Sequence, residues 1–319
     1  MRARYPDLEG HVERGGVRIH YEAYGSGEPT VVFLPAWAII HSRVWKCQIP
    51  YFAHHYRVVT FDPRGNGKSD RPLDPSAYAD TEYVQDAVAV MDATQTSRAV
   101  LVGFSLGAWY AAILAASCPE RVLGAVMAGP ASPLGRLLPE QTRHSFEDPL
   151  GTEEGWAKYN RHYWRRDYRG FLEFFMSKIF TEPHSTKQIE DTVAWGLETT
   201  PEVLIATVEA SGLSAHLRDH PDEAEALYRS IRCPLLIIHG GNDAIISWSR
   251  GAAIAETTGA RLVTIAGGGH HIFGRDPVKA NLLLKAFIDQ ITAATGAPAI
   301  TGGGGGKHED GARGSNGTG

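Results

Sequence analysis

The 319-residue chain is 43% hydrophobic and 21% charged, with 31 Lys and Arg against 36 Asp and Glu, a net charge of −5. That balance suits a folded soluble core and supplies no basic field to recruit nucleic acid. Three scattered cysteines, Cys47, Cys118 and Cys233, make neither a disulfide framework nor a zinc site and fit a reducing compartment, and no apolar run reaches membrane-spanning length.

Met1 to Gly10 carries charges and Pro6 rather than the apolar segment of a secretion signal, so a cytoplasmic protein with no membrane partner is expected. Gly10–Arg14 and Val17–Tyr24 flank Gly15-Gly16 and predict a β-hairpin. Thr30–Leu34 is a β-branched apolar run, as expected of a strand buried on both faces, and it ends at Pro35-Ala36-Trp37. Ser42–Phe52 is predicted as a helix, Arg57–Phe61 as a strand, and Asp62–Asp70 as a polar loop. Asp80 or Thr81 is expected to cap a helix whose apolar positions Val84, Ala87, Val88 and Met91 share one face. Strand Ala99–Val102 leads into an Ala-rich helix, Ala108–Ser117, which Cys118-Pro119 ends before strand Val122–Ala128. Such alternation predicts a parallel sheet with helices on both faces.

From Pro130 to Ser230 no apolar strand is legible, and the helical patterns carry many aromatic residues. Alternation resumes with strand Pro234–His239, helix Ser249–Thr258, strand Arg261–Ile265 and helix Asp276–Ile291. The reading is therefore an α/β core from 1–129 and 231–295, a helical lid insertion from 130–230, and a disordered Gly-rich tail from 296–319.

Gly103-Phe104-Ser105-Leu106-Gly107 sits between a predicted strand and helix, the context of a G-x-S-x-G nucleophile elbow. A serine nucleophile needs a base, and the base needs an orienting acid. In a doubly wound sheet, functional loops follow the carboxyl ends of strands. Asp243 follows the strand at Leu235–His239, and His270 follows the strand at Leu262–Ile265. The order Ser105, Asp243, His270 is that of an α/β-hydrolase triad. His271 is expected to point the other way, as a packing or surface residue, and no ligand spacing marks the two histidines as a metal site.

With these residues in hand, the chain resembles the α/β-hydrolase superfamily, in its lid-bearing branch of small esterases and C–C bond hydrolases, over Val17 to Ile291. Asp62-Pro-Arg-Gly-Asn-Gly-Lys-Ser69 looks like the family's D-x-R-G-x-G-x-S loop, Gly240–Asp243 like its G-x-x-D acid turn, and Gly269-His270 with Pro277 like its histidine loop. The resemblance implies an oxyanion hole of two backbone N–H groups, from Leu106 and from the loop after the third strand. Relatives commonly carry His-Gly in that loop. Here Pro35-Ala36 stands instead, which makes Trp37 the donor and changes the loop's backbone requirement. Trp37 and His41 also look like the loop of cofactor-free dioxygenases of this fold, in which His41 would anchor a substrate oxygen; the bland reading is that His41 flanks the helix at Ser42.

Phe104, Trp164 and Trp195 join His41 as candidate substrate contacts. Gly65-Asn-Gly-Lys-Ser69 echoes a phosphate-binding loop but lacks its first glycine and its following helix. Asp62 and Arg64 are expected to fix their loop. Arg161, Arg165, Arg166 and Arg169 read as a solvated helix face, with capture of an acidic or carrier-linked substrate as the alternative. The expected protein is a serine hydrolase acting on an ester or related carbonyl compound with an apolar group, using no cofactor or metal. C–C bond hydrolysis, cofactor-independent dioxygenation and a non-enzymatic binding module are the alternatives.

Overall fold

The computed structural model describes residues 4–210 and 212–295. The expected disordered tail, 296–319, lies outside the described residues. Eight strands form one sheet: β1 (Leu8–Arg14), β2 (Val17–Tyr24), β3 (Thr30–Phe33), β4 (Val58–Phe61), β5 (Ala99–Phe104), β6 (Val122–Ala128), β7 (Leu235–Gly240) and β8 (Arg261–Ile265). Their order is β1-β2-β4-β3-β5-β6-β7-β8. The hairpin β1–β2 and the β2–β4 pair are antiparallel, and every other pair is parallel.

The β-branched runs form the sheet's middle because both faces are covered. In β3, Val31 and Phe33 join a core with Trp45 and Phe52 on one face. Val32 joins Val59, Phe61 and Trp109 on the other. That is the period-two alternation of a strand with apolar residues on both sides.

Helices cover both faces: α1 (Ile49–Phe52), α2 (Asp80–Ala93), α3 (Leu106–Ser117), α4 (Arg161–Arg166), α5 (Tyr168–Ile179), α6 (Thr186–Gly196), α7 (Pro201–Glu209), α8 (Leu213–Asp219), α9 (Pro221–Ser230), α10 (Trp248–Thr258), α11 (Ile272–Arg275) and α12 (Pro277–Thr295). The six helices α4–α9 all lie between β6 and β7, where no strand occurs among the described residues.

Two local expectations are corrected. Ser42–Phe52 is not one helix: a 3₁₀ turn covers Ser42–Trp45, and α1 starts only at Ile49. Pro50 is the reason, since its ring crowds the carbonyl four residues back and it has no N–H to continue the ladder. Asp80 and Thr81 do not cap α2. Asp80 is its first helical residue, Ala79 stands at the cap, and the Asp80 carboxylate accepts instead from Ser214 N–H at 2.7 Å, at the start of α8.

The loop from Asp62 to Asp70 is fixed rather than reactive. Asp62 accepts from the N–H groups of Ser42 (3.1 Å) and Lys68 (2.8 Å). Arg64 is 1% exposed and donates twice to Asp86 of α2, at 2.7 Å each. Three of the four arginines in the insertion are ion-paired: Arg161 with Glu147 and Glu209, Arg166 with Glu153, and Arg169 with Glu173.

Candidate active site

Ser105 occupies the turn between β5 and α3 with φ 57° and ψ −119°, a conformation that non-glycine residues rarely adopt. Such strain costs about 1–3 kcal/mol and persists only where the surroundings enforce it. The enforcement is visible. The Ser105 N–H donates to Ala128 of β6 at 2.9 Å, and its carbonyl accepts from Ala131 N–H at 3.1 Å. A Cβ on Gly103 would sit 2.2 Å from the Gly107 carbonyl oxygen, and one on Gly107 would sit 2.6 Å from the Pro35 carbonyl oxygen. Both glycines of the motif are therefore demanded by backbone meeting backbone.

The acid turn and the histidine loop are packed just as closely. Asn242 N–H donates to Gly268, Gly241 N–H donates to Ile265, and a Cβ on Gly240 would lie 2.1 Å from the Gly269 carbonyl oxygen. This contact brings Asp243, after β7, against His270, after β8. His270 Nδ1 stands 2.7 Å from Asp243 Oδ2, both side chains being buried. Asp243 Oδ1 accepts from the N–H groups of Ile245 and Ile246, each at 2.8 Å. Burial alone would raise the Asp243 carboxyl, but the facing His270 and the hydrogen bonds from His239, His270 and Ile246 hold it well below the usual carboxylate range. An ionised Asp243 takes the proton-bearing nitrogen of His270 as its Nδ1–H and leaves Nε2 as an acceptor.

The pair packs against the residues that flank the serine. The Phe104 ring lies 4.6 Å from that of His270, and the hydrogen of Gly129, at φ 48°, occupies a place where a Cβ would be 3.0 Å from His270 Nδ1. Ser105 Oγ and His270 Nε2 share no hydrogen bond in this structure. Catalytic hydrogen bonds in free enzymes are commonly long and tighten on substrate binding. His271 is buried, stacks on Phe104 at 4.7 Å and accepts from Gly274 N–H, so it packs.

Ser105, Leu106 and Trp37 face one cavity of about 450 Å³, whose other walls include Trp156, Tyr159, Phe175 and Thr207 from the insertion. Trp37 is anchored there by Nε1–H donating to Thr207 Oγ1 at 2.7 Å. The other expected substrate contacts do not line the cavity. His41 caps the 3₁₀ turn at Ser42 and lies edge-on to Trp195, with Nε2 3.3 Å from Glu198. Trp195 sits outside with Lys46 over its ring. Trp164 is wholly buried against Phe171, and Phe104 is held between His270, His271 and Phe273. Size and aromatic character marked Phe104, Trp164 and Trp195, and both suit core packing equally well; His41 was marked by the dioxygenase-like loop.

Three neighbours escaped the sequence reading. His239 of β7 is fully buried, with Nε2 3.3 Å from Asp243 Oδ2 and 3.1 Å from the Ile246 carbonyl, so Nε2 carries the proton. Glu182, from the insertion, accepts from Gly269 N–H at 2.7 Å, beside the His270 N–H bond to Ile179 at 3.0 Å. Gly129 gives the pair its room. A histidine four residues before the candidate acid was the one available signal.

The α/β-hydrolase fold family model matches residues 29–277. A pimeloyl-[acyl-carrier protein] methyl ester esterase of Xanthomonas oryzae is 30% identical over 279 residues, covering 86% of this chain and all of the relative. The chain belongs to the α/β-hydrolase family. It is an enzyme of the esterase-type hydrolases in that family. A 2-hydroxymuconate semialdehyde hydrolase of a Pseudomonas species is 26% identical, over 85% of this chain and 87% of the relative. Among solved structures, Est816, described as an N-acyl homoserine lactone degrading enzyme, superposes with a TM-score of 0.70 at 26% identity, over 87% of this chain and all of that one. The mostly parallel eight-stranded sheet flanked by helices is thus that of an α/β-hydrolase. No helix among the described residues is long and apolar enough to cross a membrane.

Proposed function

We propose that the chain hydrolyses a carboxylic ester with an apolar acyl or alcohol group through Ser105, His270 and Asp243. The observation that carries this reading is the strained Ser105 turn opening on a mainly apolar cavity, beside a His270 whose tautomer is fixed by an ionised Asp243. Ser105 Oγ attacks the ester carbonyl carbon as His270 Nε2 takes the hydroxyl proton. The tetrahedral oxyanion is held by the N–H groups of Leu106 and Trp37. Collapse breaks the bond to the alkoxy oxygen, which leaves as the alcohol with the proton from His270. Water then loses a proton to His270 and attacks the acyl-enzyme, and Ser105 departs with that proton. Asp243 orients the imidazole and stabilises its cation. The helical insertion acts as a lid, since its aromatic side chains form one wall of the cavity.

A fluorophosphonate probe tests the reading. Labelling of the wild-type protein that disappears in Ser105→Ala, together with a fall in kcat on an aryl ester of at least about a thousandfold, is the expected result. No labelling and no ester turnover would overturn it. C–C bond hydrolysis uses the same three residues and draws support from the resemblance to the muconate-semialdehyde enzyme; turnover of a ring-cleavage product in place of esters marks it. Dioxygenation loses its proposed anchor, because His41 caps a turn away from the cavity lining.

A further inference from the structure

The cavity has a second polar end that the ester reading does not use. Along its wall several polar side chains have partners within the protein. Thr207 donates to the Leu204 carbonyl, Tyr78 to that of Pro72 and Gln141 to that of Ile245. Tyr83 and Tyr110, like Tyr159, have none among the described residues, but these two stack on each other beside Asp80. Both are 3% exposed and line the cavity, and neither hydroxyl has a hydrogen-bond partner among the described residues. Their rings stack at 4.7 Å with an interplanar angle of 7°. Burial raises both phenols well above their ordinary value, so each keeps its proton to donate. Asp80, three residues before Tyr83 and on the same face of α2, also lines the cavity. Its Oδ2 is taken by Ser214 N–H, and Oδ1 has no hydrogen-bond partner among the described residues.

The distance to the chemistry follows from α3. Leu106 and Tyr110 are four residues apart on one helix face, about 6 Å along the axis. A buried hydroxyl without a partner costs about 1–3 kcal/mol once water is excluded, so an incoming chain that leaves two of them unpaired is disfavoured. A neutral hydroxyl matches the whole set, with two lone pairs for the two phenols and one hydrogen for Asp80. The exposed Arg218 guanidinium also borders the cavity, but a carboxylate placed at the tyrosine pair would meet the Asp80 carboxylate.

We propose that Tyr83, Tyr110 and Asp80 form a specificity subsite for a hydroxyl group carried on the substrate about one helical turn from the scissile carbonyl. The proposal rests on the ester-cleaving reading of Ser105. Its test reads binding and not turnover. Ser105→Ala protein is titrated calorimetrically with methyl hexanoate, methyl 6-hydroxyhexanoate and monomethyl adipate. The hydroxy ester is expected to bind about tenfold tighter than methyl hexanoate, the factor corresponding to about one net hydrogen bond. Adding Tyr83→Phe and Tyr110→Phe, which keep the stacked rings, brings that ratio to within about twofold of one, and each single change does part of this.

A ratio near one before the tyrosines are changed overturns the proposal. So does a ratio that survives both changes, tightest binding by monomethyl adipate, or no measurable binding of any of the three. Failure of the ester-cleaving reading itself shows separately, as absent fluorophosphonate labelling of the wild-type protein.

Discussion

Asp243 is surrounded by donors: two backbone N–H groups on Oδ1, and His270 and His239 on Oδ2. The His239 bond is the longer of the two side-chain contacts, and it is shared with the Ile246 carbonyl. It places a second imidazole on the carboxylate oxygen that faces His270. Replacing His239 by Asn, too short to reach, is expected to lower kcat on an aryl ester by about ten- to a hundredfold with little change in KM, the worth of one charge-assisted hydrogen bond. Steady-state kinetics check this, and an unchanged kcat would remove His239 from the site. The three candidate catalytic residues were legible because each follows a strand that its own composition betrays. His239 was not, since a histidine inside an apolar strand reads as core until the fold sets it beside a carboxylate.

At the scale of elements, the loop after β4 is bound to α2 by a buried charge pair. Arg64 and Asp86 are each 1% exposed, and Arg14 from β1 adds a bond to Asp86 at 2.9 Å. Removing one member strands a buried charge. Asp86→Ala is expected to lower stability by about 3–5 kcal/mol, while Arg64→Met with Asp86→Leu recovers most of the loss. Urea denaturation of both variants reads this, and a single variant as stable as the wild type would refute it. The loop's fixed character was readable from its Asp and Arg, but their partners, 22 residues on for Arg64, were not. The misread helix at Ser42–Phe52 has a local cause, Pro50, that outweighed its apolar spacing. The misplaced cap at Asp80 has a distant one, because the carboxylate serves α8 rather than its own helix.

For the whole molecule, acid is the vulnerable side. Burial, with the neighbouring His270 and Lys46, lowers His271 to about 3. The unfolded chain therefore takes up this proton as pH falls through about 6.5, while the folded chain refuses it until about 3, and stability drains across that interval. Asp243, also lowered in the fold, adds a loss at still lower pH, below its ordinary carboxylate value. The urea midpoint should fall steadily from pH 7 to pH 4.5. His271→Asn, which can still accept from Gly274 N–H, should flatten that slope. A slope identical to the wild type would show that His271 is not the group responsible.

The sequence by itself determined the alternation of strands and helices, the strand-to-helix turn at Ser105, and the order along the chain of the candidate nucleophile, acid and base. Each of these is written in nearest neighbours: β-branched runs, glycines at close backbone approaches, polar residues just after strands. Only the tertiary structure decided what lines the cavity. Trp164, Trp195 and His41 left it, and Tyr83, Tyr110 and Asp80 entered it. Side-chain type cannot distinguish an aromatic residue that fills a core from one that faces a cavity; that depends on which helices meet there. Chain segments far apart in sequence, α2, α3 and the helical insertion, had to pack before the difference existed.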